Sequence, residues 1–319
     1  MPTSSTQGVP PTGGHPARPL AAGPRRRRSI LPRWLTPYLF ALPLLGFILT
    51  FTYLPIAISL DLSFRQWDFL TSEKPFVGLE NYRVLFNSAE FWNSVKVTML
   101  FAIVAVPLRL ALALAIASYL VREVLPARLL RGAFFLPSVT STVAIAVVFS
   151  WVFSTDYGIL NAGLALFGIP RLPFMQDPQL ALWVLIFINT WKQLGYDIII
   201  YVAGLQAIPD ELYDAAAVDG GKKFHVFRRV TVPLVMPTTY FLLIISVIDA
   251  FQVFSIVDVM TTGGPAGATD LIVNMMYRVG FTLFDIGLGS ALAVLLFLFL
   301  VLLALFKSRV LGRKVHYGA

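Results

Sequence analysis

Two sets of polar residues within otherwise apolar segments are candidates for binding a polar ligand. The first set, at positions i, i+3, i+4 and i+7 of a predicted helix, is Asn189, Lys192, Gln193 and Tyr196. The second pair, Asp249 and Gln252, is three residues apart, so each set shares one helical face. Amides, hydroxyls and carboxylates beside aromatic rings suit the hydroxyl groups and CH faces of sugars. The same side chains could instead hydrogen-bond one helix to another, and both interpretations stay open.

Other kinds of chemistry have little support in the sequence. The chain has no cysteine, which excludes thiolate metal sites and a cysteine nucleophile. Its three histidines, His15, His225 and His316, lie outside the long apolar segments, and no H-E-x-x-H motif occurs. An intramembrane enzyme and a metal site are therefore not predicted. The chain also lacks a G-x-x-x-x-G-K-[ST] phosphate loop, so we expect no cofactor and no ATP bound by the chain itself.

The elements that position these residues are membrane spans. Of the 319 residues 57% are hydrophobic and 13% charged, with a mean hydropathy of +0.76. Soluble domains have roughly 45–50% apolar and about 25% charged residues. A helix needs about 20 apolar residues to cross a bilayer. Six segments qualify, which predicts an all-α polytopic membrane protein with spans near 37–60, 95–120, 132–153, 180–204, 234–258 and 286–307.

Apart from Lys307 at the very end of the last predicted span, six charged residues fall within the predicted spans and must face protein or water. They are Lys96, Arg109, Lys192, Asp197, Asp249 and Asp258. Lys192 and Asp197 could neutralise each other, although a five-residue offset is an awkward helical spacing. These charges keep open a second hypothesis, that the chain is an ion-coupled secondary carrier or a channel.

The distribution of Lys and Arg predicts the orientation. Seventeen of them lie in the two tails and in the 121–131 and 205–233 loops, against five in the remaining loops. Because cytoplasmic loops carry the excess of positive charge, both termini are predicted to be cytoplasmic. Residues 1–33, which include the RRRR run at 25–28, are predicted to be a disordered basic cytoplasmic tail, followed by a transmembrane domain over 34–319.

One charged segment, 208–233, interrupts the apolar pattern. Pro209 suits the first turn of a helix, and Gly220-Gly221 suits its end, so two short helices with a hinge are expected. In the second helix, Phe224, Phe227 and Val230 form a stripe that could lie against the bundle. The pattern alone is equally compatible with an ordinary amphipathic loop at the membrane interface.

The residues of this segment resemble a known sequence. DAAAVDGGKKFHVFRRVTVPLVMP is similar to the EAA loop of binding-protein-dependent ABC importer permeases, whose pattern is E-A-A-x-x-D-G-A, five residues, F, then L-P-x-x-x-P. Seven residues match it in register without a gap: Ala215, Ala216, Asp219, Gly220, Phe227, Pro233 and Pro237. Asp214, Gly221 and Val232 replace the usual Glu, Ala and Leu. VMTTGGPAGATDLIVNMMYRVGF and TPYLFALPLL resemble segments of the carbohydrate-uptake permeases of the maltose and glycerol-phosphate type, so the similarity covers about 34–310.

This resemblance implies a function. It implies the bundle of a type I ABC importer permease, in a prokaryotic inner membrane, for a di- or oligosaccharide, with glycerol phosphate esters also left open as substrates. The chain would be a non-catalytic subunit that forms half of the translocation path. Its partners would be a second permease, two cytoplasmic ATP-binding subunits that hydrolyse ATP, and an extracytoplasmic solute-binding protein. The resemblance assigns contact with the ATPase to a coupling helix that includes Asp214, Ala215, Ala216, Asp219, Gly220, Gly221, Phe227 and Pro233. The candidate substrate path consists of the two polar sets described first.

Overall fold

The computed structural model describes residues 36–69, 71–121 and 125–311. The predicted basic tail, with its RRRR run, lies outside these ranges. Every regular element of the described residues is helical, and one isolated antiparallel bridge joins Arg65 to Phe76. The predicted all-α class is therefore confirmed. Contacts between Cα atoms divide the chain into two units, one up to Pro55 and one from Ile56.

Two helical segments joined by a π-helical turn start the described chain. They are α1 (Thr36–Ile48), the turn Leu49–Tyr53 and α2 (Leu54–Leu62). Together they give a 25-residue apolar helix, Tyr38–Leu62, that is long enough to cross a membrane. The predicted span was 37–60.

A short amphipathic helix, α3 (Glu80–Asn87), leads into the longest helix, α4 (Ala89–Leu120). The Ser88 hydroxyl accepts a hydrogen bond from the Phe91 backbone N–H, which satisfies one of the free donors at the start of α4. Small and apolar residues on one side of α4, among them Phe101 and Ala105, are buried in the core.

The third predicted span is broken. Helices α5 (Leu125–Val139) and α6 (Thr142–Val152) meet at an angle of 97°. The chain leaves the helical conformation at Ser141, where ψ is 127°. The prediction of a single span over 132–153 therefore missed a sharp bend, which follows Pro137 by a few residues.

Helix α8 (Ala181–Gln206) is the centre of the core, and the short α7 (Ile159–Ala165) precedes it. It packs against α4 and α5, and further along against α12 (Met236–Phe251). Close packing depends on Gly195, where an added Cβ would lie 1.9 Å from the Phe134 carbonyl oxygen. This contact brings the backbones of α8 and α5 together.

The charged segment and the C-terminal third complete the fold. The remaining helices are α9 (Asp210–Val218), α10 (Lys223–Val226), α11 (Val232–Leu234), α13 (Ser255–Met260), α14 (Ile272–Tyr277) and α15 (Ile286–Leu311). Two further π-helical turns, Phe227–Thr231 and Arg278–Thr282, lie between them. The predicted fifth span corresponds to α12 and α13, which form a 25-residue segment, Met236–Met260, with a short break.

Four helices of the described residues are long and apolar enough to cross a membrane, and the bent pair α5–α6 could be a fifth span. Helix α8 has 26 residues, which at about 1.5 Å per residue is also long enough. It carries the first polar set and is not one of those four helices. Six spans remain a prediction.

Candidate functional site

A buried arginine joins three helices of the core. Arg109 on α4 is only 4% exposed, and its Nε lies 2.7 Å from a carboxylate oxygen of Asp197 on α8. Its Nη1 lies 2.8 Å from Asp249 Oδ2 on α12, and its Nη2 donates to Ser246 Oγ at 2.6 Å. Ser246 and Asp249 are three residues apart on α12 and thus share a face. One guanidinium therefore binds both neighbouring helices.

The two candidate polar sets meet at this arginine. Gln193 Nε2 on α8 donates to Asp249 Oδ1 on α12 at 3.0 Å. Both carboxylate oxygens of Asp249 are thereby engaged, one by Arg109 and one by Gln193. The sequence spacing predicted each face separately, and the structure places the faces side by side.

The suggested pairing of Lys192 with Asp197 is wrong. Asp197 is 1% exposed and pairs with Arg109, whereas Lys192 Nζ donates to the Ser138 carbonyl oxygen at 3.4 Å. Ser138 is in the last turn of α5, where carbonyl groups lack partners within the helix. A cation there satisfies a free carbonyl and counters the negative end of the helix dipole. Lys192 thus stabilises the end of α5 at the bend.

The other members of the polar sets differ in exposure. Asn189 is buried at 5%, whereas Tyr196 is 40% exposed and Gln252 is also exposed. Asp249 is intermediate, with 31% of its side chain exposed. The candidate path residues Tyr196 and Gln252 are therefore exposed on this chain, and their contact with substrate stays a prediction. Polar side chains left exposed in a span need a watery path or a partner.

The segment 208–233 folds into the expected helix, turn and helix. Helix α9 ends at Val218, and the chain turns at Gly220, whose φ of +72° is a conformation that glycine adopts at little cost. The backbone N–H groups of Gly220 and Gly221 donate to Ala217 and Ala216, which closes the end of α9. A Cβ at Gly221 would lie 2.7 Å from the Ala216 carbonyl oxygen, so a smaller residue than the Ala usual in the resembled pattern fits this turn.

Most side chains of this segment face outwards. Val218 is 88% exposed and Phe224 74% exposed, although both are apolar. The expected contact of Phe224 with the bundle is therefore wrong, while Phe227 and Val230 are half-buried. The Tyr213 and Thr231 hydroxyls, 3.3 Å apart, tie α9 to the following helix.

The matched residues of the resembled loop occupy this exposed surface. Ala216, Gly221 and Phe227 are half-buried, and the remainder are exposed: Asp214, Ala215, Asp219, Gly220 and Pro233. A cleft of about 1040 Å³ separates α9 from the ends of α4 and α8; Ser118, Val121 and Gln206 line it on the helix side. The segment therefore stands apart from the bundle on one side.

A second network fixes the other end of the bundle. Arg278 pairs with Glu90 at the start of α4 and with Asp270 at 2.8 Å, and Ser94 Oγ donates to Asp270 at 3.1 Å. The hydrogen bond with Asp270, and the charge of Glu90, raise the pKa of Arg278 above its ordinary value. This network holds the glycine-rich turn before α14, where Gly263 has a φ of +87°.

Comparison with known proteins identifies the family of the chain. Residues 109–317 match the family described as "Binding-protein-dependent transport system inner membrane component". The chain belongs to this family. It is therefore an ABC importer permease, a transport subunit, and the hypothesis of an ion-coupled carrier or a channel is excluded.

The relatives cover nearly the whole permease. The trehalose/maltose transport system permease protein MalF of Thermococcus litoralis is 35% identical over 260 residues, which are 82% of this chain and 88% of that protein. The sn-glycerol-3-phosphate transport system permease protein UgpA of Agrobacterium fabrum is 31% identical, over 91% of this chain and 99% of that protein.

A solved structure confirms the permease fold. A chain of a bacterial ABC transporter involved in the import of the acidic polysaccharide alginate superposes with a TM-score of 0.76 and 26% identity. The match covers 89% of this chain and 96% of that chain.

Sequence reasoning missed the central role of Arg109 and the contribution of Ser246. The signal was present, because a guanidinium within a span requires carboxylate partners. The sequence contains several carboxylates that could pair with Arg109. Which of them do so depends on how α4, α8 and α12 are arranged in space.

Proposed function

We propose that this permease forms half of the translocation path of an ATP-driven saccharide importer and contacts its ATPase through 208–233. The observation that carries the proposal is an exposed, rigidly turned helix, α9, with uncovered apolar side chains beside it. Large apolar side chains such as Val218 and Phe224 favour burial against a partner. Their position on a charged loop suits a protein partner in the cytoplasm.

The proposal includes the partners that such a path requires. A second permease would complete the path on the side where Tyr196 and Gln252 are exposed. Two ATP-binding subunits would supply the energy, since the chain has no phosphate loop of its own, and we expect no cofactor on this chain. A structurally similar bacterial alginate ABC transporter has been solved in complex with an alginate pentasaccharide-bound periplasmic protein. By analogy, an extracytoplasmic solute-binding protein would dock at the end held by Arg278.

Two observations support a saccharide as the substrate: the chemistry of the polar face and the names of the relatives. Gln193, Asp249, Tyr196 and Gln252 together offer hydrogen-bonding groups and an aromatic ring at one surface. Such groups suit the hydroxyls and CH faces of a sugar. The named relatives include a permease for trehalose and maltose, which supports this substrate class.

Orientation in the inner membrane is part of the proposal. The end of the bundle with 208–233 carries Lys222, Lys223, Arg228 and Arg229, and by the distribution of positive charge it would be cytoplasmic. Both termini would be on the same side.

The test is substrate-stimulated ATP hydrolysis by the reconstituted complex carrying Gly220→Val. A β-branched residue at a φ of +72° strains the turn, whereas no neighbour lies within 4 Å of an added Cβ. We expect the complex to insert and to retain basal hydrolysis, while stimulation by the loaded binding protein falls several-fold.

Gly168→Val is the matched control. Gly168 also has a φ of +72° and open space around it, but it lies in the loop after α7. It should keep stimulation close to that of the wild type. Full stimulation with Gly220→Val would refute the role of this turn in coupling.

A further inference from the structure

The polar face between α8 and α12 exposes a negative charge and keeps its positive charges buried. Asp249 has 31% of its side chain exposed, whereas Arg109 and Lys192 are 4% and 7% exposed. A molecule that passes over this face thus meets the Asp249 carboxylate, with the Arg109 guanidinium paired behind it, before it meets either cation.

The two buried cations are already engaged. Arg109 lies between two carboxylates, with contacts of 2.7 and 2.8 Å, and Lys192 Nζ points to the Ser138 carbonyl oxygen. Lys96, the other cation within the predicted spans, lies about three and a half turns away along α4 from Arg109. Because this separation is about half a turn more than a whole number of turns, Lys96 lies on a different side of α4 from Arg109.

The orientation of Gln193 adds to the acceptor character of the face. As the ion-pair partner of Arg109, Asp249 is a carboxylate and can only accept hydrogen bonds. The nitrogen of the Gln193 amide must therefore face Asp249, which directs the amide oxygen away from it. The face presents oxygen acceptors beside the exposed ring of Tyr196.

We propose that this face makes the permease selective for a neutral saccharide over an anionic one such as a uronide or a sugar phosphate. Hydroxyl groups can donate to the acceptors, whereas a carboxylate or phosphate placed beside Asp249 suffers repulsion in a medium of low dielectric constant. The inference rests on the proposed saccharide function. The relatives alone do not determine the charge of the substrate, because they include both a trehalose/maltose permease and a glycerol-3-phosphate permease.

The experiment measures saccharide binding to the complex of permeases and ATPase subunits in nanodiscs. The solute-binding protein is left out, because its own selectivity would otherwise contribute to the measured preference. Saturation-transfer difference NMR gives dissociation constants for maltotriose and for a uronic acid trisaccharide of equal length. We expect the wild type to bind maltotriose at least about tenfold more tightly, since like charges at a binding surface are strongly unfavourable.

Two variants test the cause. Asp249→Asn removes the charge, and Gln252→Lys adds a cation on the exposed part of the same face, at a position whose exposure favours normal folding. Either variant should reduce the preference for maltotriose by at least about fivefold, an effect of about 1 kcal/mol. The control Glu80→Gln removes a carboxylate from the distant α3 and should leave the preference unchanged.

The outcomes separate the two proposals. A wild-type preference for the uronide, or a preference that neither Asp249→Asn nor Gln252→Lys changes, would overturn the selectivity and leave saccharide transport standing. Failure of both trisaccharides to bind, together with uptake of some other class of solute, would overturn both.

Discussion

At the residue scale, Arg109 and its two carboxylate partners hold the core helices together. The guanidinium joins α4 to both α8 and α12, and it is almost completely buried. Among the described residues, neither carboxylate oxygen of Asp197 has a hydrogen-bond donor, so the aspartate depends on its ion pair with Arg109. Sequence reasoning could state that such a charge needs partners, but the partners come from helices 88 and 140 residues away in the chain.

Replacing Arg109 with Gln should destabilise the permease severely. Removal of one member of a buried ion pair leaves an uncompensated charge, which costs about 3–5 kcal/mol. We expect a marked fall in the thermal unfolding midpoint, measured by fluorescence-detected size exclusion in detergent. Arg83→Gln is the control, because Arg83 and its partner Glu80 are exposed and such pairs contribute about 0–1 kcal/mol. Equal stability of the Arg109→Gln and Arg83→Gln proteins would contradict the role of the buried pair.

Tyr196 and Gln252 should affect transport without affecting assembly. Both are exposed on the proposed path, so neither is needed to fill the core. Loss of one hydrogen bond to the sugar removes about 1 kcal/mol, or about fivefold in recognition. Ala substitutions at the two positions should lower saccharide uptake per assembled complex by about that factor. Asn189→Ala, also a change on the predicted face, should instead reduce assembly, since Asn189 is buried. Reduced assembly with normal uptake at Tyr196 and Gln252 would make them packing residues.

At the element scale, the sequence predicted where the apolar segments lie but not how they bend. At the 97° bend between α5 and α6, Lys192 donates to a carbonyl group at the end of α5 from another helix. No local sequence pattern predicts such a contact between helices. The turn after α9, in contrast, was predictable, because Gly220-Gly221 encodes it locally.

The contact of α8 with α5 can be tested at Gly195. A methyl group there would lie 1.9 Å from the Phe134 carbonyl oxygen, so the two helices would have to separate. We expect Gly195→Ala to lower the thermal unfolding midpoint and the yield of assembled complex. Gly163→Ala makes the same chemical change in α7, where nothing lies within 4 Å of the new Cβ, and it should be neutral or slightly stabilising. A Gly195→Ala protein as stable as wild type would show that this close approach is not needed.

At the scale of the whole molecule, the two ends of the bundle differ in structure. One end carries 208–233 and the cleft behind it, and the other carries the network of Arg278, Asp270 and Glu90. The spacing of polar residues predicted the two faces of the path, and the distribution of Lys and Arg predicted which end is cytoplasmic. Assembly with a second permease and an ATPase depends on surfaces of other chains and cannot be derived from this sequence alone.

The orientation can be checked with reporter fusions. Fusions after Pro126 and His316 should report cytoplasm, and a fusion after Lys74 should report the outside, because positive charge is concentrated in the cytoplasmic segments. His316 lies outside the described residues, so its placement is a prediction from sequence alone. An external signal from a fusion at Lys222 would invert the proposed topology.

The most direct test of the central claim is a cross-link from 208–233 to the ATPase subunit. The chain has no cysteine, so Val218→Cys introduces a single reactive thiol at a side chain that is 88% exposed. Phe167→Cys, at a position 82% exposed in the loop after α7, provides the control. With a thiol-directed photo-cross-linker and the purified complex, the account predicts an adduct between permease and ATPase from Val218→Cys and none from Phe167→Cys. No adduct from Val218→Cys, or an equal yield from both positions, would contradict it.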